Sequence, residues 1–187
     1  PDRFSTCAIY NDDGACGLTV DSNVFYKAGK WNVLLGGGSD KIYTNNIFID
    51  TKYGIHVDDR LQNWSGAIMV KGGLVEKRLD AVNHQNPPYS FQYPALAKYW
   101  PNDGLPTGNL VENNIFYKVD ELFDGKKEWL DYKKANWKTN ENLEFADFEN
   151  SDFSLKSKSE VLKKLPNFKE IPFHKIGLYK IESTSKN

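Results

Sequence analysis

Asn23-Val24-Phe25, Asn46-Ile47-Phe48 and Asn114-Ile115-Phe116 are three copies of one short phrase, each set in alternating polar and apolar residues. The first two begin 23 residues apart, and the third follows 68 residues on, about three such intervals. Short β-branched and aromatic strands repeating at a period in the low twenties, with no helical pattern between them, predict a solenoid of parallel strands. Each turn would stack on the last at a strand spacing of about 4.8 Å. The asparagines then have a reason. At a bend between strands an Asn side chain bonds backbone groups locally and stacks on the Asn of the next turn, forming a ladder of amides. The Phe two residues later points inward and stacks in the same way.

A second column repeats with the first. Ile9-Tyr10-Asn11-Asp12-Asp13-Gly14 aligns with Val33-Leu34-Leu35-Gly36-Gly37-Gly38 and with Ile55-His56-Val57-Asp58-Asp59-Arg60, at steps of 24 and 22 residues. Residues 1–60 therefore read as β-helical coils. Over 61–108 the period is lost among Gly72-Gly73, Pro87-Pro88, Pro94, Pro101 and Pro106, with short helices expected at 74–82 and 95–99. An excursion of that length reads as a functional lobe bordering a groove. The coil pattern returns in 109–147, with a short helix or loop expected at 129–137. Residues 148–187, with Ser159 as a helix N-cap, read as a strap covering the last coil, because a solenoid must cap its exposed end.

Composition narrows the function classes. Twenty-four Lys and Arg balance 25 Asp and Glu for a net charge of −1, so nothing points to nucleic acid or a membrane surface. Aromatic residues make up 14% of the chain, which favours a carbohydrate ligand weakly, since sugars stack on such rings. No apolar run is long enough to span a membrane. The chain begins at Pro1 with no charged-then-apolar leader, the look of a processed or truncated product. Cys7 and Cys16 are too few for a disulfide framework; they pair if the chain is exported, or more simply are small buried thiols.

The second column carries the candidate chemistry. Asp12 and Asp13 align with Gly36 and Gly37 and then with Asp58 and Asp59, which puts two acidic pairs roughly 9 to 10 Å apart on one edge. Gly36, Gly37 and Gly38 remove the side chains between them, leaving an expected bare floor on which a sugar ring would lie. Glycoside hydrolysis needs one carboxylic acid and one carboxylate, about 5 to 5.5 Å apart for retention or about 6.5 to 9.5 Å for inversion. Arg60 is placed to hold a carboxylate or bind a hydroxyl. His56, in the alternating strand around it, either faces the groove or is a satisfied structural histidine.

Together with Thr19-Val20, Asn45-Asn46-Ile47-Phe48, Gly54-Ile55-His56-Val57-Asp58, Arg60 and Trp64, these motifs resemble the C-terminal portion of the right-handed parallel β-helix proteins of bacterial polysaccharide utilisation. Pro87-Pro88-Tyr89, Tyr93-Pro94-Ala95-Leu96 and Gly108-Asn109 resemble the excursion those proteins carry before their last coil, and Ile171-Pro172-Phe173 with Lys175-Ile176-Gly177-Leu178 their ending. The resemblance implies an all-β, right-handed parallel β-helix that processes carbohydrate outside the cytoplasm, secreted, periplasmic or at the cell surface. It maps the family's pattern onto Asp12, Asp13, Asp58 and Arg60, with Asp59 less clearly included.

Three functions remain in competition. The first is a glycoside hydrolase with Asp12 or Asp13 and Asp58 as acid and base, His56, Asp59, Arg60, Trp64, Gly36 and Gly37 lining the substrate groove, and no cofactor. The second is a polysaccharide lyase, with Asp12, Asp13, Asp58 and Asp59 as Ca²⁺ ligands and Arg60 or Lys71 neutralising a uronate; the acidity of the groove disfavours such a substrate. The third is a glycan-binding β-helix fragment without activity. An uncapped first coil also predicts that residues 1–10 pair with missing N-terminal coils or with a second copy of the chain.

Overall fold

The computed structural model describes residues 6–98, 104–132, 135–156 and 159–177. Strands β1 (Cys7–Asn11), β2 (Thr19–Asp21), β3 (Val24–Tyr26), β4 (Trp31–Gly36), β5 (Ile42–Thr44) and β6 (Ile47–Asp58) precede the irregular stretch. Strands β7 (Asn109–Glu112), β8 (Ile115–Gly125), β9 (Leu130–Asp131) and β10 (Trp137–Thr139) follow it. One sheet runs β1-β4-β6-β8-β10, with β3 also paired to β6; a second runs β2-β5-β7-β9. Every pairing within these two sheets is parallel. Parallel neighbours require a crossover between them, which is why strands adjacent in space lie about a repeat apart in sequence.

The repeated phrase sets the register. Val24 pairs with Ile47 and Phe25 with Phe48, and Phe48 pairs in turn with Phe116. The three rings form a stack, with centroids 4.9 and 4.8 Å apart and interplanar angles of 7° and 12°. Beside it runs the expected amide ladder: Nδ2 of Asn23 donates to Oδ1 of Asn46 at 3.2 Å, and Nδ2 of Asn46 to Oδ1 of Asn114 at 3.0 Å. A fourth rung, not read from the sequence, is Asn136, whose Oδ1 accepts from Asn114 Nδ2 at 3.1 Å. Asn23, Asn46 and Asn114 each follow a residue in the left-handed region, Ser22, Asn45 and Asn113 at φ of 60°, 53° and 55°. A second set of bends at Lys27, Asp50 and Lys118, with φ of 48°, 52° and 53°, closes the three-residue strand after each Asn. In β6 and β8 the chain re-enters the sheet immediately after that bend, so each has two arms.

Residues at alternate positions point to opposite faces of a strand, and both faces of this sheet are apolar over part of their length. Val33, Leu35, Tyr43, Phe48, Ile55, Val57, Val111 and Phe116 form the main core and are fully buried. Burying such side chains contributes about 1.5 to 3 kcal/mol each. The opposite face of the short arms, Ile47, Ile49, Ile115 and Tyr117, packs against Leu143, Phe145, Phe153, Val161, Leu165, Phe168 and Ile171. The C-terminal strap, expected over the last coil, therefore lies along the flank of the sheet. It comprises the antiparallel pair β11 (Phe145–Asp147) and β12 (Asp152–Leu155) and helix α3 (Ser159–Lys164), which includes the Ser159 expected as its cap. The physical reason is that Asn-Ile-Phe-Ile and Asn-Ile-Phe-Tyr are apolar at both parities and need cover on both sides.

The excursion holds α1 (Leu74–Ala81), as expected, and a one-turn helix α2 (Tyr89–Gln92) that was not; the helix expected at 95–99 is a 3₁₀ turn at Leu96–Lys98, and Tyr99 lies outside the described residues. Its small core joins Leu61 and Met69 to Ile68, Val75, Leu79 and Leu96. In the stretch 129–137, a 3₁₀ turn at Lys127–Trp129 runs into β9, and β10 starts at Trp137; residues 133 and 134 lie outside the described residues. Neither cysteine is a buried thiol or half of a disulfide: Cys7 is half-buried, Cys16 is exposed, and both are free. No helix among the described residues is long and apolar enough to cross a membrane.

Candidate functional site

The chemistry gathers at the end of β1, β4 and β6. Asn11 pairs with Leu35 and Gly36 with Asp58, so continuing the register by one residue sets Asp12, Gly36 and Asp58 in one row across three strands. The expected alignment of the carboxylates thus holds. The expected bare floor does not, because Arg60 fills it. A Cβ on Gly36 would lie 2.5 Å from Arg60 Cζ, so the glycine provides the seat for a guanidinium. Gly37 packs against Leu61, and Gly38 at φ 75° brings the chain so close that a Cβ would meet Ala15 O at 2.2 Å.

Arg60 is the centre of the site, with only 4% of its side chain exposed. Its Nε and Nη2 fork onto Asp58, at 2.9 Å to Oδ1 and 2.6 Å to Oδ2, and the backbone N of Arg60 adds a bond to Oδ1 at 3.1 Å. Nη1 donates to Asp12 Oδ1 and lies 3.6 Å from Asp13 Oδ1. Nη1 and Nη2 both reach the Tyr10 hydroxyl at 3.3 Å. The hydrogen bond to Asp58 raises the guanidinium above its ordinary value; burial opposes the shift and Tyr10 adds to it. The rings of Tyr10 and Trp64 both lie near the guanidinium, their centroids 5.5 and 5.2 Å from Arg60 Cζ. Tyr10 and Trp64 remain 55% and 71% exposed, so two aromatic surfaces flank the guanidinium and face solvent.

The acids differ in their freedom. Asp58 is 26% exposed and anchored by the fork, whereas Asp12 is 62% exposed and makes one contact with the guanidinium. Asp13, at φ 37°, is the exposed residue of the turn beside them. Asp59 turns away, accepting from Asn63 Nδ2 at 2.8 Å and pairing with Lys126 at 3.5 Å. Lys71 is exposed in the turn before α1. The four aspartates expected as Ca²⁺ ligands do not converge on one point: Asp12, Asp13 and Asp58 face Arg60, Asp59 faces Asn63 and Lys126, and no group of three or more His, Cys, Asp or Glu side chains among the described residues is gathered for a metal ion.

Below the row lies Lys41, a residue the sequence reading missed. It is fully buried, and its Nζ donates to Gly37 O at 2.5 Å. Burial pushes its ammonium down to about 8, against the opposing pull of Cys16, Asp40 and Asp58. The excursion meets the segment just after Gly36–Gly38, through Ser39 Oγ to Leu105 O at 2.9 Å and Asp40 N to Thr107 O at 3.0 Å. Beyond it, a shallow apolar groove runs between Cys16, Asp40 and the rings of Tyr89 and Tyr93. A second apolar pocket lies beneath the strap, lined by Ile47, Phe153, Val161 and Phe168 and by none of the residues of the row.

His56 belongs to the next row of the same face. It pairs with Leu34 on one side and Asp124 on the other. Its Nδ1 bonds Asp124 Oδ2 at 2.9 Å, and Trp31 Nε1 donates to that same oxygen at 2.8 Å. Burial pushes the Asp124 carboxyl up, but the hydrogen bonds from Trp31 and His56 outweigh it and hold the group below its ordinary value. Comparison with protein-family models, with curated proteins and with solved structures finds no match for this chain.

Proposed function

We propose that the two parallel sheets are successive coils of a right-handed parallel β-helix, and that the chain is the C-terminal part of a carbohydrate-active protein, a glycoside hydrolase acting outside the cytoplasm. The 23-residue step, the amide ladder and the Phe stack support the coil reading, and parallel crossovers are almost always right-handed. The observation that carries the function is the row Asp12, Gly36, Asp58 converging on Arg60 between the exposed rings of Tyr10 and Trp64. Two carboxylates on one open face, with aromatic surfaces beside them, are what hydrolysis of a stacked sugar requires.

The different holds on the two acids suggest their roles. Asp58, gripped by the fork, is fixed in position as a hydrogen-bond acceptor and suits the base or nucleophile. Asp12, exposed and singly held, is the one a bound sugar can draw off the guanidinium to serve as acid, with Asp13 beside it as the alternative. Reducing-sugar release from soluble neutral polysaccharides tests this. Asp58→Asn should remove most of the turnover, since acid–base catalysis contributes about 10²- to 10⁴-fold. Wild-type turnover in that variant sinks the assignment.

One observation favours a second reading, a glycan-binding face without catalysis. A guanidinium bridging both carboxylates engages them as hydrogen-bond acceptors, whereas a general acid must be placed to donate. Glycan binding by a chain that releases no sugar from any polysaccharide would select this reading over the first.

A further inference from the structure

We propose that His56 is a recognition point for a neutral sugar beside Asp58, its Nε2 accepting a hydrogen bond from a sugar hydroxyl; this rests on the carbohydrate reading above. His56 and Asp58 are two residues apart on β6, so they share a face at a separation of roughly 6.6 Å along the strand. Three independent constraints fix the imidazole. Asp124 holds Nδ1 at 2.9 Å. Trp31 lies against the ring with centroids 4.6 Å apart and a 37° tilt. Gly125 leaves it room, since a Cβ there would stand 2.9 Å from His56 Cε1.

An ionised Asp124 only accepts, so Nδ1 donates to it, and in the neutral imidazole that tautomer leaves Nε2 as the acceptor. Among the described residues nothing hydrogen-bonds Nε2, and the side chain stays partly open to solvent. An oriented imidazole with one unused acceptor is a pre-organised site for a donor. A hydroxyl meets that need and a carboxylate does not. The cations nearby are already engaged, Arg60 with Asp12 and Asp58, Lys126 with Asp59, and Lys30 on the Trp31 ring at 4.3 Å. A uronate would face Asp58 and Asp124 without a partner, so the face selects neutral glycans.

Affinity electrophoresis of the purified chain in gels containing xylan, galactomannan, mixed-linkage β-glucan or polygalacturonate reads the proposal directly. Retardation is expected in at least one neutral gel and none in polygalacturonate. In the neutral gel His56→Ala should weaken binding about three- to tenfold, as loss of one hydrogen bond does. Asp124→Ala should weaken it similarly by freeing the ring, and His56→Gln, which retains an acceptor, should weaken it less. Thermal melts identify any variant that fails to fold, and the remaining two then decide. Unchanged retardation of folded His56 and Asp124 variants, alongside loss in Trp64→Ala, overturns this inference and leaves the carbohydrate reading standing. Tighter retardation in polygalacturonate overturns the neutral selectivity. A wild-type chain that neither binds nor cleaves any of these glycans removes both.

Discussion

Replacing Asn46 with Ala should cost more than truncating a typical hydrophobic residue, because four hydrogen bonds converge on one amide. Its Nδ2 donates to Val20 O at 2.9 Å and to Asn114 Oδ1 at 3.0 Å, and its Oδ1 accepts from the backbone N and Nδ2 of Asn23 at 3.0 and 3.2 Å. The side chain is wholly buried, so water cannot replace these partners. At a net 0.5 to 1.5 kcal/mol per bond, with partial relaxation, the loss is about 4 kcal/mol. That is a large share of the 5 to 15 kcal/mol that holds a typical domain together. Asn46→Asp should do at least as much harm, since it keeps both acceptors, removes both donors and buries a charge. Asn23 is the outermost rung and exposed; its Nδ2 bonds Asp21 O and Asn46 Oδ1. Asn23→Ala should therefore cost only about 1 kcal/mol. Urea unfolding followed by circular dichroism measures all three, with the slope against denaturant confirming a common unfolded state. A loss below about 1 kcal/mol in Asn46→Ala, or one equal to that of Asn23→Ala, would refute the ladder as a source of stability.

Other consequences can be measured on the same protein. Gly36→Ala places a methyl 2.5 Å from Arg60 Cζ and should expel the guanidinium from between Asp12 and Asp58; the expected cost is about 1 to 3 kcal/mol, and a structure of the variant with Arg60 undisturbed contradicts the reading. Lys41 loses its proton near pH 8 when folded but only near 10.5 when unfolded, so the unfolded chain binds more protons in between and stability should rise with pH across that window, by up to about 3 kcal/mol. Lys41→Met should abolish that rise in urea midpoint, and an identical pH profile in the variant counts against it. Among the described residues β1, β2 and β3 each leave one strand edge unpaired, so this side should pair with another strand, from a second copy or from further coils; a well-folded monomer by light scattering, with those amides exchanging freely, speaks against it.

The amide ladder and Phe stack were legible because both are set by a side chain's position in a repeat, and a period survives in sequence. The fourth rung escaped because Asn136 is followed by Trp137, with Lys138 where the other copies place Phe. Asp124 was legible in principle. It lies 68 residues after His56, the same interval that separates Asn46 from Asn114, and carrying the second column past the excursion would have found it. The filling of the Gly36 seat by Arg60 was not legible, since register locates a Cα but says nothing of where a long side chain folds back. The flank position of the strap follows from apolar residues at both parities of the short arms, a signal that alternation in the longer strands obscured.

The columns of the register separate architecture from chemistry. Inward columns repeat one kind of residue: Phe25, Phe48 and Phe116, or Ile9, Val33, Ile55 and Phe123. Stacked neighbours a strand spacing apart must interdigitate, and like shapes do so at least strain. Outward columns have no such requirement where solvent takes the place of a packed layer. Tyr10, Leu34, His56 and Asp124 form one such column, and Asp12, Gly36 and Asp58 the next. These two mix aromatic, apolar, basic and acidic residues within a few Å, and they hold the guanidinium and the oriented imidazole. Heterogeneity in an outward column, read against uniformity in its inward neighbour, therefore marks where this chain's residues are released from the packing requirement of the stack.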